Sequence, residues 1–189
     1  MISRTLVIVL VLFISACANS PSKHYYALSA AMPETTSELQ AASIQKVIGV
    51  GPIKIPEYLQ PSRISYWKTA QQLSAADNGF WAEPLEQGIA RVLALNLQTA
   101  QPQWQVMQFP WLQSQQPALV VRVEIQRLDA FPNYALLEAR MDVVDTKTGS
   151  TRSKLIRARV DSSPDSASIA SAFSQLLQQT SAAIAEDIL

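Results

Sequence analysis

The sequence predicts an α+β domain, a mainly antiparallel β-sheet with two amphipathic helices packed on one face. Two observations predict it. Across residues 119–160, three runs alternate apolar and polar side chains and are joined by short turns, as half-buried strands of a meander do. Two other runs, 84–98 and 163–188, place their apolar residues at helical spacing instead.

Taken in order, HYYALSA (24–30) reads as a first strand, with aromatic residues suited to a pleated surface. Residues 30–42 show no period and read as a loop. In 43–59 Ile44, Lys46 and Ile48 alternate with Gln45 and Val47, while Gly49, Gly51 and Pro52 predict a bend or bulge in an edge strand. Pro56 and Pro61 bracket a turn, and RISYWK (63–68) reads as the next strand. Asp77-Asn78-Gly79 reads as a turn before the first helix. That helix has Glu83 at its positive end, Pro84 in its first turn and a stripe of Leu85, Ile89, Val92 and Asn96 widened by Leu93 and Leu97. Residues 103–109 can form a strand, and the prolines at 110 and 117 close a loop.

The meander follows. Val121, Val123 and Ile125 share one face of its first strand, and Ala135, Leu137, Ala139, Met141 and Val143 share one face of the second. Residues 146–149 make the hairpin turn, and Ile156, Ala158 and Val160 point inward on the return. Ser163 as cap, Pro164 in the first position and Asp165 near the positive end start the last helix. Its stripe is Ile169, Phe173, Leu176, Leu177, Thr180, Ile184 and Ile188.

The N-terminus has another pattern. Arg4 supplies one positive charge, residues 6–14 (LVIVLVLFI) are uninterruptedly apolar, and small Ser15 and Ala16 precede Cys17, the only cysteine. This is the plan of a secretory signal, too short for the roughly 20 apolar residues of a spanning helix. Ile14-Ser15-Ala16-Cys17 resembles a bacterial lipobox. The resemblance implies that a peptidase reads Ile14, Ser15 and Ala16 and cuts before Cys17. It also implies a diacylglycerol and an N-acyl chain on Cys17, enough chains for stable anchoring. Ala18, where an Asp would retain a lipoprotein in the inner membrane, implies sorting to the outer membrane. The expected organisation is a cleaved signal (1–16), a lipidated tether (17–23) and one domain (24–189).

Composition narrows function further. Fifteen basic residues balance fifteen acidic ones, so no cationic excess is available for nucleic acid. His24 is the only histidine, which with one acylated cysteine cannot build a usual zinc site and leaves a Ser-His-Asp triad a single base to draw on. Neither a phosphate-cradling glycine loop nor G-x-S-x-G is present. Carboxylate pairs are available, Glu83 with Glu86 and Asp142 with Asp145, but they read more simply as helix-end and strand-surface charges. The expectation is a protein that is not an enzyme and has no cofactor or metal.

Several stretches carry a family resemblance together: the lipobox, YYAL (25–28), GVGPIKIPEYL (49–59), FWAEPLEQGIARVLALNLQ (80–98) and the last amphipathic helix. They resemble the ABC-type transport auxiliary lipoprotein family. The resemblance implies an outer-membrane lipoprotein facing the periplasm. It implies work with an MCE-domain protein, in some systems with an ABC transporter, in lipid transport between membranes that supports envelope integrity. It also implies a docking or tethering role, with a homo-oligomeric ring as one form, and it offers no catalytic residues. Trp81 and Pro84 in WAEPL read as structural, setting the start of the helix, with a partner contact through Trp81 as the alternative. Phe109, Trp111 and Leu112 are the candidate partner contacts, with core packing equally open to them. Competing readings are a lipid carrier with its own acyl-chain pocket between sheet and helices, and an envelope hydrolase using carboxylates.

Overall fold

The computed structural model describes residues 22–32 and 46–188. Ile14, Ser15, Ala16, Cys17 and Ala18 lie outside them, as does most of the loop expected over 30–42. The described elements run β1 (His24–Tyr26), β2 (Lys46–Lys54), β3 (Arg63–Thr69), β4 (Gln72–Trp81), α1 (Leu85–Ala100), β5 (Trp104–Gln108), β6 (Leu119–Ala130), β7 (Tyr134–Asp145), β8 (Thr151–Asp161) and α2 (Ser166–Ile188).

The α+β class is as expected, but the strands form two sheets and both are mixed. The larger has the order β5-β2-β6-β7-β8, the smaller β1-β4-β3. In the larger sheet β6, β7 and β8 are the antiparallel meander, while β2 runs parallel to both β5 and β6. In the smaller, β1 is parallel to β4 and β3 antiparallel to it. The strand 46–54 is therefore central, not an edge. Its bend is nonetheless where glycine and proline predict it, because the β2–β6 register slips between Val50 and Ile53, around Gly51 and Pro52.

Both helices cover one face of the larger sheet, α1 over β2 and β5 and α2 over β7 and β8, and they pack on each other. The inward-facing residues of the meander meet both helical stripes in one core, in which Ile48, Ile89, Leu93, Leu97, Leu137, Met141, Leu176, Leu177 and Ile184 are fully buried. Burying each such side chain contributes about 1.5–3 kcal/mol, which outweighs the indifferent propensity of the Ser- and Gln-rich positions between them. Asn96 lies in the apolar stripe because it has partners: its Oδ1 accepts from the Ala31 N–H (2.8 Å) and its Nδ2 donates to Ser181 Oγ (3.3 Å).

Three local expectations are corrected. The first strand is shorter than 24–30, since ladder pairing stops at Tyr26. Asp77-Asn78-Gly79 is not a turn but part of β4, in a bulge where residues 75–80 oppose only 63–65 and Asp77 takes a φ of 44°. The polar triad hid a strand because a bulge abolishes the period-2 signal. The last helix begins at Ser166 and is capped by Asp165, whose Oδ1 accepts from the Ser168 N–H (2.9 Å). Ser163 instead donates to Asp165 Oδ2 (2.6 Å), so it steadies the cap without being it. Pro84 likewise precedes α1 as its N-cap rather than opening its first turn.

Candidate functional site

The stretches 49–59 and 80–98 meet at one cleft of ≈ 410 Å³. The β2 bend (Val50 to Ile53) forms one wall, the start of α1 with Glu83, Glu86 and Arg91 another, and Phe109 and Pro110 the rim. Glycine makes this assembly possible. A Cβ on Gly49 would lie 2.6 Å from Pro117 and 2.8 Å from the Trp111 ring, and one on Gly51 2.7 Å from Phe109 Cβ. The loop after β5 thus seats itself on the two glycines of GVG.

The seating sorts the candidate contacts. Trp111 is half-buried against Gly49 and meets Phe109 edge-on, with ring centroids 5.3 Å apart. Phe109 and Leu112 remain 52% and 67% exposed. The structure packs Phe109 on Trp111, with Trp111 as the support, and presents both Phe109 and Leu112 to solvent. Trp81 is buried, its ring stacked on Phe173 of α2 at 5.9 Å.

The carboxylates have specific neighbours. Glu83 is ion-paired with Arg91, whose Nη2 also donates to the Leu28 carbonyl (2.9 Å) and so binds the segment after β1 to α1. Glu86 stands exposed at the cleft without a salt-bridge partner among the described residues. Asp142 accepts from Ser153 Oγ (2.6 Å). Asp145 takes the N–H groups of Lys147 and Thr148, which hold its carboxyl below the usual range. His24 approaches Ser22 at 3.3 Å at the exposed start of β1. Among the described residues no three His, Cys, Asp or Glu side chains gather as a metal site, and no helix is long and apolar enough to cross a membrane.

One cluster escaped the sequence reading. Asp129 is buried on β6 and accepts from Tyr58 Oη (2.7 Å) and Trp67 Nε1 (2.9 Å) on one oxygen, and from Arg127 Nε (2.8 Å) on the other. It ties β3 and the 3-10 turn Glu57–Leu59 to the large sheet. Burial, then the bond to Asp129, raises the Tyr58 phenol well above its ordinary value. The cluster lines a second open cleft of ≈ 490 Å³ with Phe131 and Tyr134. The sequence signal was faint: an Asp at the end of an apolar run, with its partners some 60–70 residues away.

Known proteins resemble the chain in sequence and in fold. Residues 26–185 match the family model for the ABC-type transport auxiliary lipoprotein component. The intermembrane transport lipoprotein PqiC of Escherichia coli (strain K12) is 31% identical over 121 residues, covering 64% of this chain and 63% of the relative. PqiC of Shigella flexneri matches to the same extent, so the match spans somewhat less than two thirds of these curated relatives. A crystal structure of a protein described as uncharacterized superposes with a TM-score of 0.72 at 20% identity, covering 89% of this chain and all of that one. One from Xanthomonas campestris gives 0.64 at 14% identity, over 87% and 93%. At such identities the structures support the fold alone. The family model, however, spans both motif-bearing stretches, all of α1 and α2 as far as residue 185, and the chain therefore belongs to the ABC-type transport auxiliary lipoprotein component family.

Proposed function

We propose that this lipoprotein is the outer-membrane docking component of an MCE-type intermembrane lipid transport system, acting by binding rather than catalysis. Residues 1–16 are its cleaved signal and 17–23 its tether. Cys17 carries the lipid, and Ala18 directs it to the outer membrane with the domain facing the periplasm. One observation carries the docking role: the motif-bearing stretches 49–59 and 80–98 converge on a cleft whose rim presents exposed Phe109, and the same loop carries exposed Leu112 three residues on. An exposed phenylalanine on a half-buried tryptophan support, with an exposed leucine beside it in the chain, makes a small anchor of the kind that concentrates binding energy. The relatives named as intermembrane transport lipoproteins supply the process.

The lipid-carrier reading fits less well. The interior between sheet and helices is filled by the packed core, and the cleft between the β2 bend and the start of α1 is open to the surface and puts Glu83, Glu86 and Arg91 in its lining, where an acyl chain would have to face charge. The test is a photo-crosslinking amino acid at Leu112 in cells, with Glu186 on the far end of α2 as control. The expected product from position 112 alone is an adduct with an MCE-domain protein. An adduct with a second copy would make the rim a ring interface. No adduct, or equal adducts from both positions, would remove the docking role.

A further inference from the structure

We infer that the free edge of β8 receives an extended, acidic strand from a protein partner, in antiparallel β-addition. The inference goes beyond the transport reading and holds whatever the cargo. It starts from the four terminal strands of the two sheets. β1 has three residues, β5 has five, and the β3 ladder is broken by two register shifts. The β8 ladder with β7 runs from Thr151 to Asp161 without a shift, and the strand contains no proline. On such a strand every second residue turns its N–H and C=O away from the sheet, where another strand can take them. Among the described elements only β7 and α2 make substantial contact with β8, so nothing described covers that edge.

Side chains along the edge choose the occupant. Arg152 is engaged by α2, donating to the Asp187 carbonyl at 2.8 Å, and Arg157 faces Glu138 at 3.5 Å. Lys154 and Arg159 are exposed and have no carboxylate within salt-bridge distance among the described residues. Arg159 is held in place by the Tyr134 ring, 3.7 Å away. Between them Leu155 is 61% exposed, a large aliphatic group on a face whose other residues are Thr151, Ser153, Arg157, Arg159 and Asp161. A second copy supplies too little countercharge: β8 against β8 sets Arg152, Lys154, Arg157 and Arg159 of each copy along one seam with Asp161 as the strand's single acid, and β5 has no charged residue. An antiparallel partner strand with an acid opposite Arg159, an apolar residue opposite Leu155 and an acid opposite Lys154 reads acid-x-x-x-apolar-acid.

The test uses the full lipidated chain in detergent and the probe peptide acetyl-Thr-Glu-Thr-Val-Thr-Leu-Glu-Val-amide. Amide hydrogen exchange should show new protection confined to 151–161. The Lys154→Glu, Arg159→Glu double variant should bind at least about tenfold more weakly and regain affinity for the same peptide with Lys in place of Glu. Leu155→Ser, which alters no charge, should also weaken binding. Absence of binding, protection elsewhere, or indifference to the charge swap overturns the inference. So does a change of oligomeric state in the double variant, because the occupant would then be a second copy.

Discussion

Asp129 shows how one residue can hold two parts of the fold in register. Its carboxylate satisfies a phenol, an indole and a guanidinium from three elements, and it is itself almost fully buried. Asp129→Ala leaves the Tyr58 phenol and Trp67 indole without their acceptor while the partly exposed Arg127 turns to water, a loss of about 1–3 kcal/mol. Urea unfolding followed by tryptophan fluorescence should show that loss, with Asp129→Asn retaining part of it. Asp165 is the second decisive residue. Its carboxyl is held below the ordinary range first by the Ser163 hydroxyl and then by the Ser168 N–H. A depressed folded-state pKa stabilises the fold above the unfolded value of about 3.9, and that stability is lost as pH falls through the folded value. Stability measured from pH 6 to pH 2 should therefore fall less steeply below pH 4 in Asp165→Asn than in the parent. Asp165→Ala should cost about 1 kcal/mol at neutral pH, the usual loss of an N-cap.

At the scale of elements, both helices, the three strands of the meander and their inward faces were legible in the sequence, because a long stripe or alternation is averaged over many residues. Leu85, Ile89, Val92 and Leu93 fell where the period put them, and so did Ala135 to Val143. What was not legible is set by distant contacts. β4 was hidden because its bulge around Asp77 exists to bring Gly79 against α2: a Cβ on Gly79 would lie 1.9 Å from Ser166 Oγ, which donates to the Ala76 carbonyl at 2.7 Å. β2 looked like an edge because Gly51 and Pro52 are edge-strand residues by habit, whereas here the bulge makes room for Phe109. Of the candidate site, the loop 109–112 was visible as apolar residues between prolines, but its support on Gly49 and Gly51 depends on a parallel pairing that no local pattern encodes. Gly79→Ala should destabilise the protein by about 1–3 kcal/mol through overpacking. Adding Ser166→Gly should recover part of the loss, a coupling that thermal unfolding of the double-mutant cycle would read.

For the whole molecule, the crossing of sequence-distant segments matters most. β1 pairs with β4, and the residues just after it are bound by Arg91 and Asn96 of α1 and by Ser174 of α2, whose Oγ accepts from the Ser29 N–H at 3.1 Å. The front of the chain is thus fastened to the last helix as well as to the first. The lipid proposed for Cys17 would then give the domain a short leash. Six residues lie between Cys17 and His24, the first residue of β1, and a fully extended chain over those seven steps reaches about 25 Å at most. Under the proposed function the domain would work as a mooring close to the bilayer surface, and the distance across the envelope would have to be covered by whatever comes to meet it.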